Sequence, residues 1–207
     1  MSVMLITLSE LRTFLEIPSG NTDSDSFLVS IITDISERIQ TYLNRKLTQG
    51  YYNRYFNAGK KKYWVDAYPI STGEGITVTY SDVVEEINDD YYVWEDEGLI
   101  EFDFITTYTE PKDVYIEWFG GYPTTITANT SSTITITYTD SILLYSVPND
   151  LKLACKLQAA YVYRRRRDIG LFSVDTHDGK YGVKGTMELL PEVKSILNSY
   201  RKPATGK

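Results

Sequence analysis

The chain has one cysteine, Cys155, and one histidine, His177. A lone cysteine forms no intramolecular disulfide, and there is no cysteine cluster to hold zinc or an iron–sulfur centre. A single histidine removes every two-histidine metal or catalytic site. No run approaches the ~18 apolar residues of a membrane-spanning helix. The opening MSVMLITLSEL has neither a basic segment nor a small-residue cleavage site, which argues against a signal peptide. Phosphate cradles are missing: the glycines at 73–75 and 179–185 lack P-loop or dinucleotide spacing. The acids of NTDSD and NDDYY match no calcium loop. What is present, 42% hydrophobic and 24% charged residues over 207, excludes wholesale disorder. That length supports one substantial core or two small ones. The expectation is a soluble protein used in a reducing compartment, or in an assembly put together there.

The net charge of −7 hides a partition. Between Tyr63 and Leu151 there are 17 acidic residues and one base, Lys112; the remainder holds 20 bases and 11 acids. The middle therefore carries −16 and the ends +9. Such asymmetry suggests different partners or faces for the two parts, against the simpler reading of a solvated acidic β surface.

The hydrophobic pattern follows the same division. Thr7 and Glu10 have capping-box spacing before Leu11, Phe14 and Leu15, and Pro18 and Gly20 end that helix. A second helix starts near Asp23 or Asp25. Its Leu28, Ile31, Ile35 and Ile39 draw one stripe. From Tyr51 to about Tyr145 the period changes to two: YYNRYF, KYWVDAY, GITVTY, DYYVW, LIEF, DVYIEWF and TITITY read as strands between turn signals. Asn129–Ser132 is expected to turn a hairpin between 125–128 and 133–138. Lys60–Lys62 are expected in another hairpin turn. Helix returns at Pro148, with Leu151, Ala154, Cys155 and Gln158 on one face, and ends in Arg164, Arg165, Arg166 and Arg167. Asp168 to Gly185 reads as a mobile loop, and Pro191 opens a last helix. The fold expected is α+β: a helical bundle formed by the N- and C-terminal helices (1–50 and 147–207) with an inserted antiparallel β region (51–146). The two helical stripes should face each other.

Catalytic constellations are weak. His177 sits in VDTHDGKYG with no nucleophile elbow and reads as a loop residue. Glu85 and Glu86, Asp89 and Asp90, and Glu95, Asp96 and Glu97 are adjacent acids; neighbours on a strand point to opposite faces and cannot act as a pair. They read as turn acids or as an acidic surface. Cys155 on an apolar stripe reads as a buried small hydrophobe. The arginines at 164–167 fan ~100° apart around the helix. They suit a helix C-terminus, or contact with phosphate or an acidic protein face.

The runs LITLSELRTFLEI, SFLVSIITDISERIQTYLNRKL, VYIEWFGGY, VPNDLKLACKLQAAYVYRRRRD and LLPEVKSILNSYRK, in this order, resemble bacteriophage head–tail connector proteins, also called head-completion or adaptor proteins. They cover about half the chain. The resemblance implies a homo-oligomeric ring, usually a dodecamer, under the portal protein. The ring extends the DNA channel, lets packaged DNA pass without sequence-specific binding, and presents a surface to the stopper or tail-completion protein. It implies a virion protein with no catalysis and no cofactor. Arg164–Arg167 with Tyr200, Arg201 and Lys202 become candidate partner contacts. Glu85, Glu86, Asp89, Asp90, Glu95, Asp96 and Glu97 become a candidate acidic surface or lumen. The chain departs from the simpler family pattern at Pro123–Ser146, which separates GGY from the PNDL helix. Two other readings remain: a β-rich carbohydrate-binding module with aromatics on one open face, and a glycosidase with two acids ~5–9 Å apart.

Overall fold

The computed structural model describes residues 2–18, 20–107, 112–123, 125–127, 146–166, 173–176, 179–182 and 188–202. The fold is α+β, with four helices and antiparallel sheets among the described residues. Two compact units form. One takes described residues of 2–43, 125–127 and 148–201; the other takes 44–123, 146–147 and 202.

The first unit opens with β1 (Ser2–Met4) and α1 (Leu8–Phe14). The capping box is present: Thr7 Oγ1 accepts the Glu10 N–H at 3.1 Å, and Glu10 Oε2 accepts the Thr7 N–H at 2.8 Å. Burial pulls the Glu10 carboxyl upward, but the Thr7 amide, Lys152 and Lys156 outweigh it and hold its pKa below the usual value. Lys152 and Lys156 lie 3.4 and 3.8 Å from Glu10, so one acid caps α1 and ties it to α3 (Asn149–Arg164). Thr7→Ala is expected to cost about 1 kcal/mol, read as a drop in melting temperature; an unchanged transition would deny the cap its role.

α2 (Asp25–Leu43) buries Leu28, Ile31, Ile32, Ile35, Ile39 and Leu43. It packs against α3, whose Leu151, Ala154, Cys155 and Gln158 are buried. The Ser36 hydroxyl, 3.9 Å from the Cys155 sulfur, marks the seam between the two helices. Gln158 is polar on an apolar stripe for a reason: its amide accepts from the Leu190 N–H (2.9 Å) and donates to the Glu188 carbonyl (3.1 Å). That fixes the entry to α4 (Pro191–Asn198), which contacts α3 and α2.

Residues 125–127 form β9, which pairs with β1 (Val3 opposite Ile126); the turn and second arm of the expected hairpin lie outside the described residues. One expectation is corrected here. The segment expected to be a loop from Asp168 to Gly185 contains the antiparallel pair β10 (Ser173–Thr176) and β11 (Gly179–Gly182).

The second unit carries β2 (Gly50–Phe56), β3 (Lys62–Trp64), β4 (Ile76–Tyr80), β5 (Val83–Glu85), β6 (Tyr91–Trp94), β7 (Leu99–Phe102) and β8 (Val114–Gly120). They form a four-stranded sheet ordered β2-β8-β4-β5 and a three-stranded sheet ordered β3-β7-β6. Tyr63, Val65, Val78, Tyr91, Ile100, Phe102, Ile116 and Trp118, from both sheets, share one core. The turn at Glu95–Gly98 joins β6 to β7 as the sequence predicts, with Trp94 opposite Leu99. Residues 57–61 make no hairpin, because β2 and β3 belong to different sheets. Thr106 fastens that connection, accepting from the Tyr63 region (2.6 Å between hydroxyls) and donating to the Lys60 carbonyl at 2.8 Å.

Candidate partner-binding surfaces

Helix α3 ends on stacked arginines. Arg165 donates to the Tyr161 hydroxyl (2.7 Å), and its guanidinium lies 5.3 Å from that ring's centroid. Arg166 sits 4.1 Å over the Tyr163 ring and donates to the Tyr163 carbonyl at 2.9 Å, satisfying one of the orphan acceptors of the helix end. Arg164 is exposed. Arg167 lies outside the described residues. The group is therefore a helix C-cap that also presents planar cations backed by aromatic rings, an arrangement suited to phosphate or carboxylate.

The residues after α4 separate. The Tyr200 hydroxyl reaches Asp150 Oδ2 at 3.4 Å, and the Arg201 guanidinium lies 5.5 Å from the Tyr42 ring. Tyr42 in turn donates to Asn198 Oδ1 at 2.8 Å. Arg201 is exposed and available to a partner. Lys202 is not: it is 8% exposed, donates to the Trp64 carbonyl at 3.3 Å and pairs with Asp66. Its expected role as a surface contact is corrected to an internal ion pair. A long side chain whose ammonium can reach inward was read as solvated.

The acids fall into two turns. Around β5, the Glu86 N–H donates to Asp90 Oδ2 (2.8 Å), while burial and then Asp90 push the Glu85 carboxyl up. Glu85 and Asp90 are in hydrogen-bond contact, too close for the two spaced carboxylates of a glycosidase. Asp89 is exposed. In the turn after β6, Glu95 accepts from the Thr72 hydroxyl, and the Glu97 N–H closes on the Trp94 carbonyl at 3.2 Å. Asp96 and Glu97 are exposed. Among the described residues no acids, cysteine or histidine group as a metal site, and no helix is long and apolar enough to cross a membrane. His177 lies outside the described residues. Cys155 is fully buried, and desolvation pushes its thiol up to about 12, which removes it as a nucleophile.

The sequence model of the head completion protein family matches residues 4–117, more than half of the chain. The chain belongs to the head completion protein family. The resemblance to head–tail connector proteins read from the sequence is thereby confirmed, and it is a structural family rather than an enzyme family. None of the curated proteins compared matches the chain. Among solved structures, a chain in the neck of an empty gene transfer agent (GTA) particle, computed with C6 symmetry, has the same fold. It is 17% identical with a TM-score of 0.54, over 96% of this chain and 90% of that one. A chain in the neck of a native GTA particle, computed with C12 symmetry, is 16% identical over 98% of this chain and 96% of that one, with a TM-score of 0.46.

In this head completion protein, sequence reading missed two features. Arg45 is buried, with its guanidinium 3.2 Å from the Tyr68 ring centroid and donating to the Tyr68 carbonyl; desolvation lowers its pKa, against the pull of Tyr68 and Tyr122. It closes the start of the β unit, and NRKL gave no hint of an inward arginine. The second is the aromatic outer face of the four-stranded sheet. Tyr51 packs on Phe119 (4.7 Å) and Tyr55 on Tyr115 (4.5 Å), with Tyr51 and Tyr55 open to solvent. The Tyr115 hydroxyl bonds Glu117, which pushes it up to about 12. Period-two aromatics announced strands; which face they share was set by pairing with β8.

Proposed function

We propose that this protein is a structural adaptor at the head–tail interface of a tailed-phage-like particle. Copies form a ring, dodecameric as the family resemblance implies, that docks under the portal, extends the DNA channel and receives the stopper or tail. It acts without catalysis or cofactor. Family membership carries the reading. The shared fold with a chain from a particle neck supports it. In this reading the helices of 1–50 and 147–207 close one bundle domain, and 51–146 is the inserted β domain. Arg164–Arg167 and Arg201 grip an acidic partner face, while the acidic turns of Glu85, Glu86, Asp89, Asp90, Glu95, Asp96 and Glu97 face solvent or the lumen except where a neighbouring copy covers them, and repel DNA from the wall.

Particles made without this protein are expected to package DNA, lose it, and fail to join tails. Particles that stay infectious without it would overturn the reading. Changing Arg164–Arg167 together to alanine is expected to reduce head–tail joining and to make what remains less salt-sensitive, since exposed charge pairs are screened within ~8–10 Å. Normal joining and DNA retention in that variant would reduce the cluster to a helix cap.

A further inference from the structure

The four-stranded sheet has two terminal strands, β2 and β5, and the rows of residues crossing it end in complementary pairs. One row runs Arg54–Ile116–Val78–Glu85: a half-exposed cation at one edge, paired with Asp66 in its own subunit, and an acid at the other. The next row, on the outer face, runs Tyr55–Tyr115–Thr79–Val84 and ends in two open apolar side chains, 57% and 64% exposed. The third runs Phe56–Val114–Tyr80–Val83, and Val83 is also 60% exposed. Val83 and Val84 point to opposite faces, so this short strand is bare on both sides.

Strand directions agree with the charges. β2 is antiparallel to β8, β8 to β4, and β4 to β5, so β5 runs opposite to β2. A second copy placed in the plane of the sheet, with its β2 beside β5, continues the antiparallel ladder. Without stagger, Arg54 of one copy meets Glu85 of the next, Tyr55 meets Val84, and Phe56 meets Val83. Two edges that fit each other but not themselves make a head-to-tail contact, the kind that closes rings. Unprotected edges bearing apolar side chains are otherwise an aggregation hazard. In that register the Arg54 guanidinium, which also bonds Asp66 of its own subunit, comes to the crowded Glu85–Asp90 pair.

We propose that the β2 edge of one copy binds the β5 edge of the next, joining their four-stranded sheets into a continuous belt. The proposal rests on the ring-forming reading and names the surface that closes the ring.

The test is a chain carrying both Tyr55→Cys and Val84→Cys, oxidised mildly and run without reductant. Directly opposed positions in an antiparallel pair lie ~4.5–5.5 Å apart, within disulfide reach. Both sites are exposed, and native Cys155 is buried and unreactive, so the fold and the background are unaffected; circular dichroism checks the first point. The double variant is expected to give a ladder of covalent multimers beyond the dimer, and each single variant none beyond the dimer. Oligomers in sedimentation velocity without a ladder would reject these edges while leaving the ring standing. Single variants that dimerise as fully as the double one would show a two-fold contact and reject the proposal. Monomers throughout, with no ladder, would reject both the edges and the ring.

Discussion

Ile35→Asp is expected to destabilise the helical unit severely. Ile35 is 4% exposed on the face of α2 that packs toward α3, next to the Ser36–Cys155 contact. The substitution removes a buried branched side chain and puts a carboxylate among the apolar side chains of the α2 stripe. Loss of burial and the unpaired polar group together cost about 3–5 kcal/mol. A domain has only about 5–15 kcal/mol in hand, so a large share of that margin is lost and the melting temperature falls steeply. Ile35→Val, which keeps the shape and leaves a small gap, is expected to cost about 0.5–1.5 kcal/mol. The neighbouring Asp34→Ala, on the exposed side, should change little. Thermal melts of the three variants decide the matter; an Ile35→Asp chain that is soluble and melts like the parent would mean that α2 is not held by this face.

Gly121→Ala is expected to be comparably severe in the β unit. Gly121 has φ +99°, a backbone conformation that side chains resist, and a Cβ there would stand 2.2 Å from the Thr48 carbonyl oxygen. The obstacle is main chain, locked by bonds from the Gly121 N–H to the Pro69 carbonyl (2.9 Å) and from the Tyr122 N–H to the Leu47 carbonyl (2.8 Å). Nothing flexible can give way. Strain and clash together are expected to cost about 3 kcal/mol or more. The GGY phrase thus has a physical cause: the chain leaving β8 passes within touching distance of the segment that leads into β2. Gly20, with open space around its would-be Cβ, is the matched control, and Gly20→Ala should leave stability within about 0.5 kcal/mol. A Gly121→Ala protein with unaltered near-ultraviolet dichroism and melting would show that this crossing is looser than described.

What was legible in the sequence was local. The Thr7–Glu10 cap, the α2 stripe, the turn after Trp94 and the proline at the start of α4 depend on residues within one or two turns of each other. Their signals do not compete with anything distant. Partner choice was not legible. β9 pairs with β1, far earlier in the chain, a partner that no local pattern announces. β2 and β3 are consecutive and still join different sheets. Among the candidate contacts, Arg165, Arg166 and Arg201 sit where a helix-end reading puts them. Lys202 was misread because its flexible stem lets the ammonium turn inward to Asp66. Arg45 was missed because burial of a guanidinium depends on two aromatic rings, Tyr68 and Tyr122, that only the folded chain brings to it.

The seam between α2 and α3 also sets an order of events during synthesis. Everything from Asn44 to Val147 must leave the ribosome before α3 exists to cover the stripe on α2. During that interval the β unit has most of its strands and can form, while α2 waits with its isoleucines open. A chain cut short anywhere before α3 therefore stays marked by exposed apolar surface, a target for chaperones and proteases rather than a subunit. A copy that lacks α3 is thus expected to be withdrawn before it can occupy a place in the particle.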